Sequence, residues 1–289
     1  MCAKIQIGLE RLPDIANKLP IGESPALLCN DASCTTELVH AIDYLLHHKI
    51  PLKVLFGPQH GISITDQANM IEWEGGTDST TGLPVFSLYG ANRSPSEESL
   101  AGISSVIIDL QDIGARYYTY IWTALLTIRA CANRNTPCII LDRPNPIGGM
   151  LIEGPGISSG YESFVGLSSI PIRHACTFAE LMTVFAKREQ LTDFLHVVPM
   201  EGWSRENLWP ETALHWCPPS PNIPDFSTTL YYPGACLLEA TNISEGRGTA
   251  LPFKILGAPY IDSNKLCRYF REAHINGASV RPISFKPSW

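Results

Sequence analysis

The chain has 289 residues, 45% of them hydrophobic and 17% charged, a balance that fits a compact globular protein and excludes a disordered chain. Its formal net charge of −7 leaves no basic face, so nucleic acid is not an expected partner. No apolar run approaches the roughly 20 residues of a membrane span, which excludes a helical membrane protein.

The N-terminal segment carries Lys4, Glu10, Arg11, Asp14 and Lys18. These charges interrupt the apolar core that a secretory signal needs, and a cytoplasmic location is expected. Residues 25–30 (PALLCN) predict a strand, and residues 35–48 a helix, with Leu38, Ala41, Ile42 and Leu45 at helical spacing. Further strands are predicted at 52–56, 85–89, 106–110 and 137–141, separated by a helix over about 118–133. A third helix is predicted over 177–189, where Thr177 and Glu180 have the spacing of a capping box, and a strand follows at 196–200. Short β-rich runs alternating with helices predict an α/β protein with a Rossmann-like, mostly parallel sheet and helices on both faces. Residues 209–233 are rich in proline and read as a long ordered loop. Nine cysteines, an odd number without a close-spaced framework, read as free thiols in a reducing compartment.

In such a sheet, ligands bind outside the carboxyl ends of the strands. The unusual polar residues gather at those places. Gln59 and His60 follow the strand at 52–56; Asp109, Asp112, Arg116 and Tyr117 follow or end the one at 106–110; Arg143 and Asn145 follow the one at 137–141. Any one of these groups reads equally well as turn chemistry, with Gly and Pro shaping the backbone and Asp or Asn capping it. Their recurrence at three strand ends favours a site. Further along lie Asn222, in Ser220-Pro221-Asn222, and the polar segment from Glu239 to Thr249, which contains Asn242, Glu245 and Arg247. That segment reads either as a salt-bridged loop or as a carboxylate pair with Arg and Asn facing a polar substrate. No G-x-G-x-x-G follows the first strand, Gly246-Arg247-Gly248-Thr249 lacks the lysine and spacing of a P-loop, and no G-x-S-x-G elbow occurs. Nicotinamide binding, nucleotide hydrolysis and esterase chemistry are thereby disfavoured.

Taken together, FGPQHG (56–61), TGLPVFSLYG (81–90), DLQDIGARYYTY (109–120), LDRPNPIGG (141–149), PIRHACTFAEL (171–181), PSPNIP (219–224) and EATNISEGRGT (239–249) resemble the ordered signatures of the exo-β-N-acetylmuramidase family. The resemblance covers nearly the whole chain. It implies a Rossmann-like catalytic domain over 1–255 and the beginning of a smaller C-terminal domain over 256–289, with the chain shortened relative to the family. It also implies a glycosidase that releases terminal N-acetylmuramic acid from the non-reducing end of peptidoglycan-derived saccharides. The expected partner is a small saccharide or muropeptide; no cofactor, no metal, no nucleic acid and no membrane are expected.

Glycoside cleavage commonly uses two carboxyl groups, one acting as acid and one as base or nucleophile. On the resemblance, Glu245 and Glu239 are the candidate catalytic carboxylates and His60 a third catalytic candidate. Gln59, Arg116, Tyr117, Arg143, Asn145, His174, Asn222, Asn242 and Arg247 are candidate substrate-binding residues, the arginines for the lactyl carboxylate. Gln59 stands where the family commonly has Glu in a P-E-H-G motif, and an amide cannot transfer the proton that a carboxyl would. An acidic stretch at Glu72 and Glu74 (with Trp73 between and Ile71 before) is an alternative source of that proton. The rival reading is a non-catalytic or degraded sugar-binding remnant of the family.

Overall fold

The computed structural model describes residues 5–65, 72–274 and 277–288; Ile71 of the acidic stretch lies outside them. The chain divides into two compact units, Met1–Thr229 and Leu230–Trp289.

The first unit is built on a seven-stranded sheet. Its strands are β1 (Ala26–Leu28), β2 (Val54–Gly57), β3 (Gly76–Thr77), β4 (Pro84–Ser87), β5 (Val106–Ile108), β6 (Cys138–Leu141) and β7 (Leu195–Val198). Their order across the sheet is β3-β4-β2-β1-β5-β6-β7, and every pairing is parallel except that of β3 with β4. Without the short edge strand β3, this is the order of a Rossmann sheet, which reverses direction between β1 and β5. The expected strands at 25–30, 52–56, 106–110 and 137–141 are thus neighbours, in register at Leu27↔Leu55, Leu27↔Ile107 and Ile107↔Ile139. These central strands are buried along their length, which is why they read as continuous apolar runs and not as alternating ones.

Helices α1 (Gly8–Ile15) and α2 (Ala41–His47) cover one face, where Leu9, Leu12, Ala41, Ile42 and Leu45 form one core with Leu27, Leu55, Ile107 and Ile139. Helices α3 (Tyr120–Ala132) and α4 (Phe178–Arg188) form a second layer, joined by Trp122 and Phe185 with ring centroids 5.2 Å apart. Because successive strand side chains alternate faces, this layer meets the other set of strand residues. The capping box of α4 is formed: the Thr177 amide donates to the Glu180 carboxylate at 3.0 Å and the Glu180 amide to the Thr177 hydroxyl at 3.3 Å. Helix α2 starts six residues later than its apolar spacing predicts. Thr35 Oγ1 accepts the amides of Glu37 and Val39, and Cys34 bridges to His40, so the chain turns there before helix begins.

Helix α1 follows no strong sequence signal, since it opens on Gly8 and contains Pro13. Tertiary contact accounts for it. The Gly8 amide donates to the Asp142 carbonyl at 2.9 Å, and a Cβ at Gly8 would stand 2.4 Å from the Asp142 nitrogen and 2.6 Å from the Val198 oxygen. Only glycine lets the helix start so close to the ends of β6 and β7.

The second unit contains a 3₁₀ turn at Cys236–Ala240 and helix α6 (Ser263–Glu272), whose N-cap Asp262 accepts the amides of Asn264 and Lys265. Helix α5 (Phe226–Ala235) runs across the division. The division falls ahead of the 255/256 boundary expected from sequence. The reason is local pairing: Ser244 bridges to Gly257, and the Ser288 amide donates to the Gly248 carbonyl at 2.8 Å, tying the polar segment to the C-terminal residues. In this unit Ile261, Leu266, Phe270 and Phe285 are half-buried. No helix among the described residues is long and apolar enough to cross a membrane.

Two glycine substitutions test this account of α1. Gly8→Ala should lower unfolding free energy by about 1–3 kcal/mol, because the added methyl meets backbone that cannot move aside. Gly76→Ala, where nothing lies within 4 Å of the added Cβ, should stay within about 0.5 kcal/mol of the parent. Urea denaturation of the two variants gives both numbers.

Candidate active site

The strand ends of the first unit carry a dense layer of buried polar groups. At the reversal point, β1 runs into Asn30 and β5 into Asp109. The Ser33 hydroxyl donates to the Asp109 carbonyl, and Asp109 itself is sealed from solvent. Its carboxylate is held two-pronged by Arg143, Nε to Oδ1 at 2.5 Å and Nη2 to Oδ2 at 2.7 Å. Arg143 Nη2 also donates to the Cys34 carbonyl at 2.9 Å, so one guanidinium joins the ends of β1, β5 and β6. Burial alone pulls the Arg143 guanidinium down, but the Asp109 charge and hydrogen bonds outweigh it and hold the cation.

The motif after β2 forms a second group. Pro58, Gln59 and His60 are buried, and His60 adopts a left-handed backbone with φ of 73°. Gln59 Oε1 accepts from Thr119 Oγ1 at 2.6 Å. His60 Nε2 lies 3.3 Å from Ser220 Oγ, which also accepts the Asn222 amide at 3.3 Å. Tyr120 fastens the same region, since its hydroxyl accepts from Asn30 Nδ2 at 2.8 Å and donates to the Pro219 carbonyl. Gln59, His60 and Asn222 are therefore brought together, with Thr119 and Ser220 as partners not singled out from sequence. Ser220 stood inside a motif already noted; Thr119 gave no signal beyond its place in the long 109–120 run.

The segment after β5 forms a third. Asp112 Oδ2 accepts the Gly114 amide at 2.7 Å and faces His174 Nε2 at 3.1 Å. Burial pulls the His174 imidazole down, but hydrogen bonds and charge from Asp112 and Cys176 outweigh it and carry it up to about 9. The Cys176 amide points at His174 Nδ1 from 3.3 Å, a contact available only to the neutral ring. The shorter, charge-assisted Asp112 contact is the one that decides the protonation. Arg116 Nη1 donates to the carbonyls of Pro155 at 2.6 Å and Ile170 at 2.7 Å, and its guanidinium lies 5.3 Å from the Tyr117 ring centre. Asn145 closes a turn, accepting the Ile147 amide at 3.1 Å and donating to the Cys176 carbonyl at 2.9 Å. Asp142 receives the amides of Ala179 and Arg143 and the Thr177 hydroxyl, yet burial outweighs these bonds and pushes its carboxyl up to about 6.

In the second unit, Glu239, Glu245 and Arg247 form one cluster. Arg247 Nε bonds to Glu245 Oε1, and Arg247 Nη2 lies 3.6 Å from Glu239 Oε2. Gly246 and Gly248, with φ of 86° and 77°, turn the chain on either side of Arg247 so that it meets both carboxylates. Asn242 Oδ1 accepts from the Tyr260 hydroxyl at 2.5 Å. Among the described residues, no three His, Cys, Asp or Glu side chains gather to hold a metal ion.

Two measurements follow from these contacts. Asp109→Asn leaves the Arg143 cation buried without its counter-charge and should cost about 3–5 kcal/mol of unfolding free energy in urea. The raised value at His174 gives a stabilising contribution that is full below its ordinary 6.5 and lost as pH rises through about 9. Stability should therefore decline across that window in the parent, and the decline should flatten in Asp112→Asn.

Comparison with known proteins places the chain in a family. Residues 26–227 match the family model for the N-terminal domain of exo-beta-N-acetylmuramidase NamZ, and residues 230–289 match that for its C-terminal domain. The peptidoglycan beta-N-acetylmuramidase NamZ of Bacillus subtilis (strain 168) is 41% identical over 288 residues, covering 99% of this chain and 69% of that protein. Two crystal structures of DUF1343 family proteins from Bacteroides fragilis NCTC 9343 share the fold. One has a TM-score of 0.90 at 36% identity, covering 99% of this chain and 73% of its own. The other has a TM-score of 0.74 at 31% identity, covering 90% of this chain and 69% of its own. The two family domains meet where the structure divides, and the chain belongs to the exo-β-N-acetylmuramidase NamZ family.

Proposed function

We propose that this protein is a glycoside hydrolase that releases terminal N-acetylmuramic acid from the non-reducing end of peptidoglycan-derived saccharides, in cytoplasmic cell-wall recycling. The observation that carries the reading is family membership along nearly the entire chain. The cytoplasmic assignment is supported by the cysteine content, an odd number without a disulfide framework.

In this reading Glu245 and Glu239 supply the catalytic carboxylates. They are paired through Arg247, so the guanidinium that separates their charges is also the arginine best placed to take a lactyl carboxylate in exchange. His60 and Gln59, held by Ser220 and Thr119, orient the sugar, with Asn222 beside them. Tyr117 and Asn242 are further substrate-binding residues of this reading. Arg143, Arg116, Asn145 and His174 act by shaping the strand-end loops, because each is engaged by the protein's own groups.

Turnover of a chromogenic muramic-acid β-glycoside tests the assignment. The parent should hydrolyse it, and Glu245→Gln should lower kcat by roughly 10²–10⁴-fold, the usual contribution of one acid–base group. Gln59→Glu should leave activity unchanged or lower it, because Gln59 Oε1 already accepts a hydrogen bond from Thr119 and a new charge would meet that buried site. A parent without turnover would overturn the glycosidase reading. A large gain in Gln59→Glu would move the acid to position 59.

A further inference from the structure

Cys34 and Cys217 are far apart in sequence, one in the loop after β1 and the other within the proline-rich segment, yet they line one crevice and each shifts the other's ionisation. Both line the same crevice, together with Thr35, Gln111, Arg143 and Trp209. Both are half-buried free thiols, in contrast to Cys29, Cys131 and Cys138, which are buried. The Arg143 guanidinium anchors one side of the pair through the Cys34 carbonyl at 2.9 Å.

We infer that Cys34 and Cys217 form a reversible redox pair, which closes to a disulfide by exchange with a small-molecule disulfide. The exchange has two steps. The Cys217 thiolate attacks one sulfur of the small disulfide, forming a mixed disulfide at Cys217 and expelling one small thiolate, which takes a proton from water. Cys34 then loses its proton to solvent, and its sulfur attacks the Cys217 sulfur, expelling the second small thiolate. Two protein thiols are oxidised and one small disulfide is reduced to two thiols.

The roles follow from the surroundings. The hydrogen bond from Cys34 and the positive charge of Arg143 lower the Cys217 thiol to about 7 against the opposing effect of burial. The same hydrogen bond, with burial, raises Cys34. Cys34 Sγ is also 3.2 Å from the Asp31 carbonyl, a second place for its proton. Cys217 is therefore the attacking sulfur and Cys34 the resolving one. The link would tie the loop after β1 to the segment whose Pro219 carbonyl receives Tyr120 and whose Ser220 meets His60. Any effect on glycoside turnover rests on the proposed function above; formation of the bond does not.

The test uses the full chain, treated with 2-hydroxyethyl disulfide, alkylated with iodoacetamide, digested and read by mass spectrometry. The expected product is a Cys34–Cys217 cross-linked peptide that disappears on reduction. Before oxidation, Cys217 should alkylate roughly tenfold faster than Cys34 near neutral pH, with a rate that rises through its lowered pKa. Cys34→Ser should trap the mixed disulfide on Cys217, and Cys217→Ser should leave Cys34 unmodified. The idea fails if both residues of the parent are recovered alkylated, if the mixed disulfide persists on Cys217 with Cys34 intact, or if the bond forms between other cysteines. The parent result stands by itself should either serine variant fold poorly, and the peptide readout is independent of whether the glycoside is turned over.

Discussion

A carboxylate with no solvent contact at the centre of a parallel sheet has to be matched where it stands, and Asp109 is matched by Arg143. Removing two charges from water is expensive, and attraction recovers that expense only with good geometry and further hydrogen bonds. Here the geometry is two-pronged, and the remaining capacity of the guanidinium goes to the Cys34 carbonyl. The pair sits where strand order reverses, the place in an open α/β sheet at which the loops diverge and leave a crevice. A hydrophobic pair would hold β5 to β6 equally well but would not reach across to the loop after β1. The ion pair thus fixes the relative positions of three strand ends, and the groups on those ends inherit their positions from it.

Most of the sheet was legible because its strands are buried on both faces. VLF at 54–56, VII at 106–108 and IIL at 139–141 have no alternation to misread, and Gly, Pro or Asp ends each run. Helix α4 was legible from Thr177 and Glu180, since that spacing satisfies two backbone donors at once. What escaped was decided by tertiary contact. Helix α1 contains a proline and starts on a glycine, both unfavourable for helix, and exists because Leu9 and Leu12 are fully buried against the sheet. Helix α5 lay hidden in the proline-rich segment because Pro233 and Gly234 mask its end. The start of α2 was misplaced because the Thr35 hydroxyl competed for the backbone ahead of it, which hydrophobic spacing cannot register.

The candidate site was legible as residue types and places, less so as partnerships. Strand-end motifs located Gln59, His60, Asp112, Arg116, Arg143 and Asn145, but nothing in the sequence said that Arg143 would be taken by Asp109 or Asn145 by a turn. An arginine after a strand has the same appearance whether it faces a ligand or a carboxylate of its own chain. The difference lies in residues 34 positions away, such as Asp109 for Arg143, and long-range pairs leave no trace in a single sequence. Glu239, Glu245 and Arg247 fared better because all three lie in one short segment, so their clustering is largely a local matter of two left-handed glycines.

The polar layer at the strand ends also departs from what stability alone would select. Gln111 Oε1, Asp112 Oδ1 and Arg116 Nε are buried without a hydrogen-bond partner, all within the segment that follows β5. Leaving a buried polar atom unsatisfied costs about 1–3 kcal/mol, and replacing such groups by apolar ones of similar shape is often neutral or better for folding. Around them, Asn30, Gln59, His60, Asn145 and Ser220 are mostly satisfied by one another and by backbone, in an arrangement set before any ligand arrives. A layer built for packing alone would not combine a rigid, internally bonded frame with three unmatched atoms in one short segment. The proposed recognition role fits that combination, with the frame fixing geometry and Gln111 and Asp112 keeping bonding capacity in reserve.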